Sequence, residues 1–315
     1  MFHNSVQEPL VSIVIPTLNS GKTVRGTLES LSILDYENFE IIVVDGKSTD
    51  NTLEIVKEYQ SRYNIRIVIE EKRGRGVAYN RGILEGKGKY IAFLDSDAKL
   101  GSKGWVKNAV KMMEENEKIG VVFTKVFAPP DSKYIQKSID TFLCKGYTTA
   151  NGAIYRRDAV IKVGGFNEKM NYMQEDELLY KLTKAGYEFR VNYEDKIYHY
   201  HRQSVRSYIK QNSEAAVGAR LYYSFTGQSW IVKDSLIRIF ILIFSVLIVA
   251  FLAVNFPLLL IPIIILFYTG LFVKVNMETC SQYKWSKYTL FAPVLIYLSM
   301  IGYSLGFLTN AIKQK

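Results

Sequence analysis

The chain has 315 residues, 48% of them hydrophobic, and a net charge of +10, enough for one large domain or two modest ones. That charge admits nucleic acid, a membrane surface or a phosphorylated ligand as partner, and its location must decide among them. Only Cys144 and Cys280 are present, far apart in sequence, which excludes a cysteine metal site and a disulfide framework; we expect two ordinary thiols in a reducing compartment.

The opening MFHNSVQEPL has no apolar run, so no signal peptide is expected and the first domain should remain in the cytoplasm. Four short, β-branched apolar runs follow: VSIVIP (11–16), EIIVVD (40–45), IRIVIE (65–70) and YIAFLD (90–95). Helical patterns separate them, at Lys22 to Ile33, Asn51 to Tyr63 and Gly76 to Glu85. Strands alternating with helices predict an α/β domain with a mostly parallel sheet. Ligands of such sheets bind beyond the carboxyl ends of the strands. The polar segments there are PTLN (16–19), DGKSTD (45–50), EKRGRG (71–76) and DSD (95–97). Asp95 and Asp97 repel each other unless a cation sits between them. A hard divalent ion takes oxygen ligands and shares them with substrate phosphates. A solvated turn is the other reading of Asp-x-Asp, and the three further polar strand ends favour the metal.

Five segments in order, VSIVIPTLNS, IIVVDGKSTDNT, GVAYNRGILEGKGKYIAFLDSDA, NGAIYRRDAVIKVGGFNE and QEDELLYKL, resemble the inverting, GT-A fold glycosyltransferases of family 2. The resemblance covers roughly residues 10 to 225. It implies a GT-A domain, Rossmann-like, that binds a nucleotide-diphospho-sugar (a UDP- or GDP-sugar) with Mg²⁺ or Mn²⁺. By resemblance, Thr17 contacts the nucleotide near its base, with Asn19 and Ser96 also on the donor side. Asp45 binds the base edge, and one acidic residue frequent after it in the family is absent here. Arg73 or Arg75 is the basic residue near the base or diphosphate. Asp95 and Asp97 hold the diphosphate through the metal. In QEDELLYKL, Leu178, Leu179 and Leu182 give a helical apolar face that puts Glu175 and Asp176 in the first turn, where acids also suit the helix dipole. The resemblance makes Asp176 the general base, with Glu175 beside it. It places NGAIYRRDAVIKVGGFNE on the acceptor side, with Gly152 allowing close approach and Gly164-Gly165 setting up the catalytic helix. His199 and His201 alternate on a strand, so both point to one face; one of the two, His199 in our assignment, is implied as a third metal ligand or diphosphate contact.

Residues 203–233 mix apolar and basic side chains, as an amphipathic helix on a membrane surface does. From Ile239 to Val273 there is no charge. That is too long for one helix across a core of about 30 Å, so we expect helices near 236–254 and 257–273 joined by a tight turn, and a third near 288–308. Between Lys196 and Arg238 there are seven Lys or Arg against two acids, which puts the catalytic domain, residues 1–202, on the cytoplasmic side of a multi-pass cell-membrane domain, residues 234–315. The 255–257 turn and the tail NAIKQK are then expected outside. Gly302 and Gly306 form a step that permits close helix packing.

A membrane setting suggests an acceptor that cannot leave it: a polyprenyl or dolichyl phosphate, or a glycan on such a lipid. A processive polysaccharide synthase usually carries Gln-x-x-Arg-Trp before its spans, whereas this chain has GQSWIVKD at 227–234. A catalytically inactive membrane scaffold that binds a nucleotide-sugar remains a further alternative. Nucleic acid is not expected, because the basic residues cluster beside the apolar segments.

Overall fold

A computed structural model describes residues 8–312. The chain forms two compact units, one holding residues up to Phe127 with Gly146–His199, the other Ala128–Lys145 with Tyr200 onward. In chain order the elements are β1 (Val11–Thr17), α1 (Val24–Ser30), β2 (Phe39–Asp45), α2 (Thr52–Glu58), β3 (Ile65–Ile69), α3 (Arg75–Glu85), β4 (Tyr90–Phe93), β5 (Ala98–Leu100), α4 (Trp105–Glu115) and β6 (Ile119–Phe127). After α5 (Tyr134–Leu143) come β7 (Ile154–Arg156), α6 (Arg157–Lys162), α7 (Gln174–Lys184) and β8 (Glu188–His199). The chain closes with α8 (Val205–Thr226), α9 (Trp230–Asn255), α10 (Pro257–Glu278) and α11 (Ala292–Ile312).

The first unit is an eight-stranded sheet in the order β3-β2-β1-β4-β7-β6-β8-β5. The four strands expected from sequence pair in parallel. Beyond β4, β7 pairs antiparallel with both β4 and β6, and β8 runs parallel to β6. Side chains alternate across the sheet, so β1 feeds both core layers. Ile13 and Ile15 pack with Trp105 and Leu28 on one face, while Val14 packs with Tyr79 and Ile83 on the other. Gly82 lets α3 lie close on β1, since a Cβ there would stand 2.3 Å from Val14 Cγ1.

In the second unit α5 is held by a buried carboxylate. Asp140 is fully buried and accepts from the Tyr283 hydroxyl (2.6 Å) and the Ala128 N–H (3.0 Å), with His201 Nε2 at 2.9 Å. Cys144 and Cys280 form a disulfide. This corrects the expectation of two free thiols. Their 136-residue separation hides the fact that α5 leaves the sheet and packs with the chain after α10.

Gly302 and Gly306 pack α11 on α8. A Cβ at these positions would stand 2.5 Å from Ile209 O and 2.1 Å from Ser213 O. Tyr208, Ala216, Ala219 and Tyr222 of α8 are accordingly buried within the protein, where the sequence suggested a face laid on lipid. Helices α9, α10 and α11 are each long and apolar enough to cross a membrane. The first begins earlier than expected, because Asp234 and Arg238 pair at 2.7 Å along one helix face. Residues 313–315 of the expected outer tail lie outside the described residues.

Closing so long a loop removes much unfolded-state entropy, about 5 kcal/mol in the chain-entropy picture. Cys144→Ser should therefore melt well below the oxidised wild type in a thermal scan, and dithiothreitol should erase that difference.

Candidate active site

The parallel strands β1, β2 and β4 deliver their polar ends to one rim. Asp45, at the end of β2, is fully buried. Its carboxylate accepts from Thr17 Oγ1 (2.7 Å), the Ser48 N–H (2.7 Å) and Ser48 Oγ (2.6 Å). Asn19 adopts a left-handed conformation, φ 51°. Its N–H donates to Ser48 Oγ and its Oδ1 accepts from the Thr49 N–H, both at 2.8 Å. PTLN and DGKSTD thus form one bonded layer. The hydroxyls of Ser20 and Ser96, 2.8 Å apart, tie that layer to DSD.

Asp95, Asp97 and His199 offer ligand atoms all within 4.8 Å of one another. His199 Nε2 lies 3.2 Å from Asp97 Oδ1 and 3.9 Å from Asp95 Oδ2. The cause is sheet register: Ala98 of β5 pairs directly with His199 of β8. Burial opposes the charge on both partners. The hydrogen bond between them prevails, holding the Asp97 carboxyl below its ordinary range and the His199 imidazole above its own. Asp95 is braced by the Tyr79 hydroxyl, which donates to Oδ1 at 3.3 Å, and its own N–H donates to Asn151 Oδ1 at 3.0 Å. Two carboxylates and an imidazole, all partly exposed, are a donor set that could hold a hard divalent cation. Of the two histidines His199 joins this group, while His201 is committed to Asp140.

Arg75 opens α3 and keeps solvent access. Its guanidinium lies close enough to Tyr79, Asp95 and Glu175 for their charges to raise it above its ordinary range against the cost of burial. Of the two candidate arginines, Arg75 is therefore the one placed among acidic groups of the cleft. Glu175 and Asp176 stand in the first turn of α7. The turn before it is fixed by Gly164 and Gly165, with φ of 85° and 69°, and Lys181 Nζ of α7 donates to Gly165 O at 2.6 Å. Burial pushes the Glu175 carboxyl up. Burial, reinforced by the charge of Glu175, pushes Asp176 up to about 7. Gly152 has φ 83°, and a Cβ there would meet Ile197 Cγ1 at 2.7 Å. Tyr79, Asn151 and Tyr155 were not anticipated as parts of the site. Tyr79 had a legible signal, since it follows Arg75 by four residues on one helix and so shares its face. Tyr155, whose buried hydroxyl feels both Glu175 and Asp176, had none.

Residues 12–167 match the family described as Glycosyl transferase family 2. This chain is a glycosyltransferase with a family 2 domain. It is 28% identical over 251 residues to a Methanococcus voltae protein named dolichyl N-acetyl-alpha-D-glucosaminyl phosphate 3-beta-D-2,3-diacetamido-2,3-dideoxy-beta-D-glucuronosyltransferase, covering 70% of this chain and 77% of the relative. It is 42% identical over 98 residues to a poly(ribitol-phosphate) beta-glucosyltransferase of Bacillus spizizenii, covering 30% of this chain and 16% of that one. Among solved structures, the mannosyltransferase PcManGT from Pyrobaculum calidifontis, in complex with GDP-Man and Mn²⁺, matches with TM-score 0.65 and 17% identity over 97% of this chain and 88% of that one. S. aureus TarS 1–349 in complex with UDP-GlcNAc matches with TM-score 0.52 and 17% identity over 96% and 91% of the two chains. The glycosyltransferase thus has the GT-A fold expected from its sequence.

Two tests follow from the electrostatics of this glycosyltransferase. The folded state holds the Asp176 proton more tightly than the unfolded chain does, so this group lowers stability as pH rises from the ordinary 3.8 to about 7. Asp176→Asn should therefore gain in melting temperature over the wild type across that window, by an amount that grows with pH and levels off above it. Tyr79→Phe removes a hydroxyl from Asp95, and titration calorimetry should show Mn²⁺ binding about tenfold weaker.

Proposed function

We propose that the enzyme is a membrane-bound inverting glycosyltransferase. It moves one sugar from a UDP- or GDP-sugar to a hydroxyl of a lipid-linked glycan, with its catalytic unit at the cytoplasmic face of the cell membrane. The observation that carries this reading is the position of Arg75, whose charge is felt by both Asp95 and Glu175. A member of the acid pair suited to a donor diphosphate and a member of the acid pair suited to an acceptor therefore lie within electrostatic reach of one arginine.

In this reading Thr17, Asn19 and Asp45 shape the pocket for the nucleoside, and Ser96 fixes the start of the acidic motif against it. Asp95, Asp97 and His199 hold Mg²⁺ or Mn²⁺, which when bound supplies electrostatic stabilisation of the leaving diphosphate. Arg75 adds a second positive group on that side. Asp176 takes the proton from the acceptor hydroxyl as its oxygen bonds to the anomeric carbon and the bond to the diphosphate breaks on the opposite face. One displacement inverts the configuration. A base that titrates near neutral pH is matched to that task. Burial, reinforced by the charge of Glu175, keeps Asp176 in that range.

A polyprenyl phosphate acceptor fits less well. It arrives ionised, needs no base, and would be repelled by Glu175 and Asp176. The Methanococcus voltae relative, whose name describes transfer to a dolichyl-linked sugar, supports the hydroxyl reading.

The test uses purified enzyme, Mn²⁺, labelled UDP- and GDP-sugars, and either a polyprenyl-linked glycan or a polyprenyl phosphate. Sugar should appear on the glycan, and Asp176→Asn should cut the rate by about 10²–10⁴-fold while donor binding persists. Undiminished turnover in that variant rejects Asp176 as base. Transfer only to the phosphate rejects the hydroxyl acceptor, and no transfer with any sugar favours an inactive binding scaffold.

A further inference from the structure

The hairpin of α9 and α10 is the largest exposed feature that the site does not use. We propose that it enters one leaflet of a phospholipid bilayer from a single side, without crossing, and that cations around its base rest on anionic headgroups. This builds on the reading that the enzyme works at a membrane. It replaces the expectation that the 255–257 turn emerges on the far side.

The tip is apolar. Val254 is 81% exposed and Leu258 90% exposed, with Phe256 exposed between them. The only polar side chain there, Asn255, donates to Phe251 O of its own helix at 2.9 Å. A turn emerging among far-side headgroups would leave this surface in water, and it carries none of the Trp, Tyr, Lys or Arg that anchor such turns.

The bare arms are short. The rest of the second unit meets them at two levels: the Ser245 and Tyr297 hydroxyls lie 3.0 Å apart, and the Tyr268 hydroxyl donates to Leu290 O. Between these levels and the tip, residues 246–267 are exposed apart from Leu252 and Leu260. Ten or eleven helical residues separate each level from the turn, about 15–17 Å at 1.5 Å per residue. The hydrocarbon core is about 30 Å thick, so the arms reach roughly its middle.

Charge gathers where the bare arms begin. The Tyr134 hydroxyl donates to Lys287 O at 2.7 Å, just before Leu290. Lys137 Nζ lies 5.3 Å from the Tyr288 ring centroid. Lys133 Nζ lies 3.5 Å from Gln203 Oε1, beside the exposed Arg202 and Arg206. A full crossing would draw these cations into hydrocarbon, which is costly; at one leaflet they meet anionic headgroups. Helix α11 stays with them. Its glycines set it lengthwise on α8, and Arg220 Nη1 reaches Phe307 O at 3.3 Å, so α11 shares the depth of a helix carrying Arg206, Lys210, Glu214 and Arg220.

The test places an environment-sensitive fluorophore on Asn255→Cys, or on Ala253→Cys if that variant folds poorly. The chain's own cysteines are already paired. The protein goes into sealed vesicles of phosphatidylcholine and phosphatidylglycerol in equal parts. Quenching should be strongest with lipids brominated near the acyl terminus and absent with an impermeant quencher on either side. Quenching by an agent sealed on the opposite side would show a full crossing and overturn the proposal. Quenching from the protein's own side would show an uninserted hairpin and overturn it as well. Flotation of the wild type separates the two readings: binding to vesicles with a crossed tip sinks only this proposal, and failure to bind sinks the membrane reading too. Flotation should be greater onto the mixed vesicles than onto phosphatidylcholine alone at low salt, and equal flotation overturns the headgroup contact.

Discussion

Asp95 and Asp97 follow the buried strand β4 one residue apart, and like charges at that spacing need a positive group between them. His199 Nε2 stands 3.2 Å from Asp97, because Ala98 pairs with His199 across β5 and β8, and the three side chains together could hold such a group. This pairing is a constraint on the whole first unit. The chain must travel through β6, β7 and α7 before β8 inserts between β6 and the edge strand β5. The rim is bonded around it: Tyr79 and Asn151 brace Asp95, and Ser96 meets Ser20 of the layer formed by PTLN and DGKSTD.

The two acid pairs differ in environment, and that difference divides their chemistry. Asp97 gains a hydrogen bond that favours its ionised form, so it is ready to accept a cation. Asp176 has no cationic partner among the causes that set its titration; burial and Glu175 both favour its protonated form. Asp97 is thus held towards its charged form and Asp176 towards its neutral one, and Arg75 feels the charge of a member of each pair. Burial and the charges of Glu175 and Asp176 push the Tyr155 hydroxyl up in turn.

The second unit solves a different problem. The described residues leave most of the apolar surface of α9 and α10 uncovered, and the remaining helices are fixed by other means. Asp140 joins α5, the chain after β8 and the turn after α10 through three separate bonds. The Cys144–Cys280 bridge secures the same junction covalently. Glycine spacing on α11 adds a backbone-close seam with α8.

The four parallel strands, the helix that begins near Gly76, the acidic motif at 95–97 and the apolar arms after 236 were all legible in the chain. Each follows from local periodicity or from residues within a few positions of one another, where short-range sterics and burial decide. The choice between His199 and His201, and between Arg73 and Arg75, was not legible, because neighbours in sequence differ only in what distant segments bring to them. The same holds for Cys144 and Cys280, and for α5, which reads as part of the sheet domain and packs with α10. The histidine and cysteine outcomes rest on contacts between residues 61 to 136 positions apart. Composition fixes which segments must be buried, but only the folded backbone fixes which buried segments meet.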